Sequence, residues 1–126
     1  MKQKGTGPSQ RQLRVGEEVR HILADVLKRG GTDSPLLERS SITVTEVKMS
    51  PDLRQATAYV YPLGGLHCDE ILKELKIHSK YFSHEVAIKM TTKMSPKVFF
   101  LRDETFDEAS KINALLRTPH VRRDLD

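Results

Sequence analysis

The amino-acid sequence predicts an α+β fold in which a three-stranded sheet is packed by helices on one face. Three observations predict it. The hydrophobic periods run helix, strand, strand, helix, helix, strand, helix in chain order. Turn chemistry at Ser50-Pro51-Asp52-Leu53 joins the first two strand-like runs into a hairpin. The stretch before the last strand is long enough for a crossover that carries a helix pair. A chain of 126 residues accommodates one such core and no second.

Each element rests on its own residues. Positions 1–8, MKQKGTGP, are polar, basic and glycine-rich and read as a flexible basic arm. Ser9 and Gln12 then have capping-box spacing, and Val15, Val19, Ile22, Leu23, Val26 and Leu27 recur at helical spacing up to Gly30-Gly31. A loop is expected around Asp33-Ser34-Pro35. The run from Ile42 to Met49 is β-branched, and its apolar phase changes near Glu46, which predicts a bulge. From Gln55 to Tyr61 a second strand places Ala56, Ala58 and Val60 on one face, small enough for a helix to pack closely. Pro62 and Gly64-Gly65 end it. Asp69 to Leu75 reads as a helix with acids in its first turn, and polar residues at 78 and 79 break the stripe before Phe82, Val86 and Met90 resume it. Two helices joined by a kink result. In the strand from Pro96 to Leu101 both faces are apolar, which predicts an interior position in the sheet. Thr105 and Glu108 form a second capping box, opening a short helix with Ala109, Ile112, Leu115 and Leu116 inward. The division is therefore an arm at 1–8, a domain at 9–117 and a short extended tail at 118–126.

Composition excludes several classes. Hydrophobic residues at 37% and charged residues at 30% fit a modest core under a charged surface rather than disorder. No apolar run approaches the about 20 residues that cross a bilayer, and the start Met1-Lys2-Gln3-Lys4 lacks a signal-peptide pattern. Cys68 is the single cysteine, so it closes no internal disulfide; it reads as a plain surface thiol in a reducing cytoplasm. Net charge is +4 with pI about 9.3. Residues 1–29 carry seven Lys or Arg against three acids, and residues 73–97 carry six Lys against two, while the rest is net acidic. Two basic segments brought onto one face would meet a phosphate backbone. Two solvated helix faces would give the same count.

The element order is that of the bacterial (type II) KH domain, which grips four nucleotides with a GxxG loop between paired helices. No GxxG is present here. Order without loop leaves an RNA binder that uses another surface, or a coincidental α+β domain. Four blocks narrow this: Arg14-Val15-Gly16-Glu17, Ile42 to Val47 (ITVTEV), Ser50 to Ala56 (SPDLRQA), and Pro96 to Thr105 (PKVFFLRDET). Together, over residues 9–117 and in matching order, they resemble the ribosome-binding factor A family. The resemblance implies a KH-type fold and a non-catalytic assembly factor that binds the free 30S subunit, assists late 16S rRNA maturation and leaves before translation. Where that family commonly has an Ala-x-Gly kink, this chain has His78-Ser79-Lys80. Lacking glycine, the kink is less free to adopt positive φ.

Binding folded rRNA calls for cations and polar donors of the right shape. The candidates are Lys2, Lys4, Arg11 and Arg14 at the start, and Lys76, His78, Ser79, Lys80, Lys89 and Lys93 along the helix pair. A Lys on a solvated helix face needs no partner, so the group is a stronger expectation than any member. Arg54 either touches RNA or pairs with Asp52. Tyr59, Tyr61 and Tyr81 either stack on bases or pack in the fold. His84-Glu85 begins an HExxH pattern, but Ile88 stands where the second His would be. His67-Cys68 lacks an orienting group, and no phosphate-cradling loop with lysine occurs. No catalytic site, metal, cofactor or small-molecule substrate is expected, and no membrane. The partners expected are the 30S subunit and 16S rRNA, met as a monomer. The competing reading is a protein-interaction module with a KH-like fold that does not touch RNA.

Overall fold

Ser9 caps the first helix with a full capping box: its hydroxyl accepts from the Gln12 amide at 3.1 Å, and the Gln12 side chain accepts from the Ser9 amide at 2.8 Å. In the computed structural model, which describes residues 7–105, this helix is α1 (Gln10–Arg29). It is followed by α2 (Pro35–Glu38), β1 (Ile42–Met49), β2 (Gln55–Pro62), a 3-10 turn (Leu63–Gly65), α3 (Cys68–Ile77), α4 (Ser79–Lys89) and β3 (Lys97–Arg102). Of the expected arm only Gly7 and Pro8 are described, and the helix expected from Thr105 is described only at its start, Glu104 and Thr105; the rest of both and the tail lie outside the described residues.

The sheet order is β1-β2-β3, with β1 antiparallel and β3 parallel to β2. The α3–α4 crossover makes the parallel pairing possible. Its inner face carries Val44, Val47, Met49, Ala56, Ala58, Val60, Val98 and Phe100, all buried. Against it lie Val19, Leu23 and Val26 of α1, Ile71 and Leu75 of α3, and Phe82 and Val86 of α4. Phe82 and Phe100 meet edge to face at 5.2 Å. The phase change near Glu46 is a β-bulge: Val44 pairs with Val60 but Glu46 with Tyr59, leaving Thr45 extra. The alanines of β2 are fully buried, as their size predicts.

Three expectations need correction. β3 is an edge strand, not an interior one, and Phe99 and Leu101 on its outer side are 42% and 45% exposed. Apolar residues on both faces of a strand report what lies above and below it, not how many neighbours pair with it. Cys68 is buried in the first turn of α3 rather than on the surface. The Asp33–Pro35 loop continues into α2, where Ser34 caps the Leu37 amide and Pro35 occupies the first helical position.

Loop geometry fixes the ends of α1. Gly30 and Gly31 have φ of 78° and 113°, a region glycine reaches without steric cost, and the Glu38 carboxylate accepts from the amides of Gly31 and Thr32 at 2.9 and 3.2 Å. Gly16 serves closeness instead: a Cβ there would lie 2.7 Å from the Val47 carbonyl oxygen, so α1 packs directly on the β1 backbone.

Candidate nucleic-acid interface

Hydrogen bonds at one end of the sheet decide which cations come together. The Gln12 side chain donates to the Met49 carbonyl at 2.9 Å, bringing the first turns of α1, with exposed Arg11 and Arg14, beside the hairpin turn. Within that turn the Ser50 hydroxyl donates to Asp52 at 2.7 Å, and the amides of Arg54 and Gln55 donate to Asp52 and to the Ser50 hydroxyl. The Asp52 carboxyl is held below its ordinary range, first by the Ser50 hydroxyl and then by the Arg54 amide. Leu53 takes φ of 62° and buries its side chain, which accounts for the Leu in SPDLR. Asp52 therefore bonds local backbone. The Arg54 guanidinium is exposed and forms no ion pair among the described residues.

The Lys97 amide donates to the Arg54 carbonyl at 2.9 Å, so the exposed Lys97 adjoins that turn. The next residue, Val98, is held by both ends of one helical turn: its carbonyl accepts from Ser79 at 2.8 Å and its amide donates to Ser83 at 2.9 Å. Through Ser79 the kink is thus tied to the start of β3. Lys93 lies exposed in the connection that leads into β3. Arg11 and Arg14 of the first basic segment and Lys97 of the second thus meet at this end, in one route of hydrogen bonds from Gln12 through the turn and Lys97 to Ser79.

At the kink, His78 has φ of −96° and ψ of 19°, so the chain bends between α3 and α4 without positive φ and without glycine. The His78 ring lies 2.9 Å from the Glu74 carbonyl, and Ser79 is committed to Val98. These two side chains build the kink. Lys76 and Lys80 on either side of it are exposed. Lys89 is different: its ammonium bonds Glu85 at 2.8 Å, a pair that holds the Glu85 carboxyl below its ordinary range, chiefly through that hydrogen bond. Lys2 and Lys4 lie outside the described residues. Lys97 is the cation that spacing alone does not reveal, because its place beside Arg54 depends on the β2–β3 register.

The tyrosines pack. Tyr61 is buried, and Tyr81 donates to the Gly30 carbonyl at 3.3 Å and meets Phe82 edge to face. Tyr59 lies under the Lys48 ammonium, 5.4 Å from the ring centre. Among the described residues, no cluster of His, Cys, Asp or Glu is placed to hold a metal, and no helix is long and apolar enough to cross a membrane.

Comparison with known proteins bears on the family and the fold. Residues 11–116 match the family model described as ribosome-binding factor A. The chain is 54% identical over 121 residues to ribosome-binding factor A of Methylobacterium radiotolerans, covering 96% of this chain and 85% of that one. To the Xanthobacter autotrophicus protein of the same name it is 52% identical over 122 residues, covering 97% and 81%. Among solved structures, ribosome-binding factor A from Thermus thermophilus superposes with a TM-score of 0.61 at 19% identity, over 72% of this chain and 94% of that one. A homology model of the Thermus thermophilus protein, fitted into a cryo-EM map of its complex with the 30S subunit, gives 0.57 at 18% identity, over 71% and 92%. These neighbours share the KH-like fold seen here. On its sequence blocks, its α+β architecture and the near full-length similarity, the chain belongs to the ribosome-binding factor A family.

Proposed function

We propose that this protein binds the free 30S subunit in the cytoplasm, contacts its 16S rRNA through the basic end of the sheet, and assists late rRNA maturation without catalysing a reaction. The observation that carries the reading is the convergence of Arg11, Arg14, Arg54, Lys93 and Lys97 on one end, with Lys76 and Lys80 beside the kink tied to it. Family membership supports it, as does the homology model of a relative fitted into a cryo-EM map of a 30S complex. The chemistry is phosphate neutralisation by cations that a rigid framework holds in place, so the affinity is ionic in origin. The protein acts as a monomer, with the arm at 1–8 adding Lys2 and Lys4 to the contact.

Co-sedimentation with isolated small subunits and with whole ribosomes, over a series of salt concentrations, tests the reading. Retention on free small subunits that weakens steadily with salt, with little retention on whole ribosomes, is expected. Absence of binding to small subunits, or binding indifferent to salt, overturns it.

A further inference from the structure

Among the described residues, the free edge of β1 is covered only in part. Its lower half lies against α1: the Val47 carbonyl faces Gly16, and the Met49 carbonyl accepts from Gln12. Its upper half borders a groove of about 400 Å³. Ladder geometry fixes which groups point there. The Leu63 amide donates to the Ser41 carbonyl, so Ser41–Leu63 is a hydrogen-bonded pair and Thr43–Tyr61 is the next. Ile42 and Val44 therefore turn their amides and carbonyls away from β2. Val60, opposite Val44, gives its carbonyl to the Asp103 amide beyond β3, as the same alternation requires. Among the described residues, no hydrogen bond reaches the backbone of Ile42 or Val44 from the groove side.

We propose that this groove takes an extended, acidic peptide segment of a partner protein, which adds to β1 as an antiparallel or parallel strand. Two donor–acceptor sets two residues apart, at Ile42 and Val44, are spaced about 6.8 Å along the strand and match a peptide backbone. A nucleic-acid strand matches less well, since phosphates accept from the amides but donate nothing to the carbonyls. The charge of the lining selects acidity. Lys28 is exposed and forms no ion pair among the described residues, and Arg20 is shared with Glu17; the Glu38 carboxylate of the lining stays anionic but accepts from the Gly31 and Thr32 amides, so Lys28 is the cation open to a peptide carboxylate. Leu27 and half-buried Ile42 give an apolar floor for one side chain. This surface lies apart from the basic end of the sheet, and the inference does not depend on the proposed rRNA contact.

Titration of the full ¹⁵N-labelled chain with three probes tests it: the peptide acetyl-EVEVE-amide, its lysine counterpart acetyl-KVKVK-amide, and hexauridylate. The acidic peptide is expected to shift the Ile42 and Val44 amides, slow their hydrogen exchange, and bind at least tenfold tighter than the basic one. Ile42→Pro removes an outward amide without removing a ladder bond, and is expected to abolish that binding while the rest of the spectrum persists. Lys28→Glu, which leaves the backbone intact, is expected to reverse the preference between the two peptides. The proposal is overturned if neither peptide perturbs Ile42 and Val44, if both bind equally, if hexauridylate produces the same shifts, or if these amides shift with protein concentration alone, which would mean a second copy pairs there.

Discussion

At Gly16 two effects oppose each other. Alanine is the better helix former by about 0.8–1 kcal/mol, yet its methyl carbon would press on the Val47 carbonyl oxygen, and backbone cannot rotate away as a flexible side chain can. Gly16→Ala is accordingly expected to lose about 1–2 kcal/mol in urea unfolding, net of the propensity gain; an increase in stability would show that α1 is free to lift from β1. Asp52 supplies a second test. Its folded carboxyl titrates below the unfolded value of about 3.9, so its stabilisation is complete above that pH and is lost as pH falls through the folded value. Urea midpoints taken from about pH 6 down to about pH 2.5 should therefore fall less steeply in Asp52→Ala than in the wild type over the acid range. Parallel curves would remove Asp52 from the acid response. Glu17, held low by its hydrogen bond with Arg20, and Glu85, held low by Lys89, act in the same direction and remain in both proteins.

Among the elements, those specified by neighbours in sequence were legible. The Ser9 capping box, the bulge near Glu46 and the turn at Ser50–Leu53 each depend on residues a few positions apart, and each is found. The edge position of β3 depends on its partner, and nothing in the alternation of Val98 to Leu101 states how many strands adjoin it. Similar reasoning applies to the site. Glu85 and Lys89 stand at the i, i+4 spacing that forms ion pairs, so the engagement of Lys89 was readable; Lys97 beside Arg54 was not, because strand register puts them together. The kink is the element on which the site most depends. Ser79 and Ser83 hold Val98 by one hydrogen bond each, and a net hydrogen bond contributes about 0.5–1.5 kcal/mol. The Ser79→Ala, Ser83→Ala double variant should thus lose about 1–3 kcal/mol and show faster amide exchange at Val98. Unchanged exchange there would mean that β2 pairing alone secures β3.

For the whole molecule, one face of the sheet is given to the core and one end to positive charge. The charge total of +4 is modest, and what matters is that paired cations such as Lys89, Arg20 and Arg29 are drawn off by local acids while Arg54, Lys80 and Lys97 are left exposed. Reversal of an unpaired cation should therefore weaken subunit binding more than reversal of Lys89. Lys80→Glu is expected to lower affinity at least about fivefold relative to Lys89→Glu in the same filter-binding assay; equal effects would show that pairing with Glu85 does not spare Lys89 from the contact.

The central claim is that Arg54 at the turn and Lys80 at the kink belong to one phosphate-contacting surface. It is tested most directly by the salt dependence of Kd for free small subunits, measured from about 50 to about 200 mM for the wild type and for the Arg54→Glu, Lys80→Glu double variant. Each lost phosphate contact lowers the slope of log affinity against log salt by about 0.7–0.9, so the variant should bind more weakly with a slope shallower by about 1.5 or more. A folded variant with the wild-type slope would place neither residue on phosphate and would contradict the account.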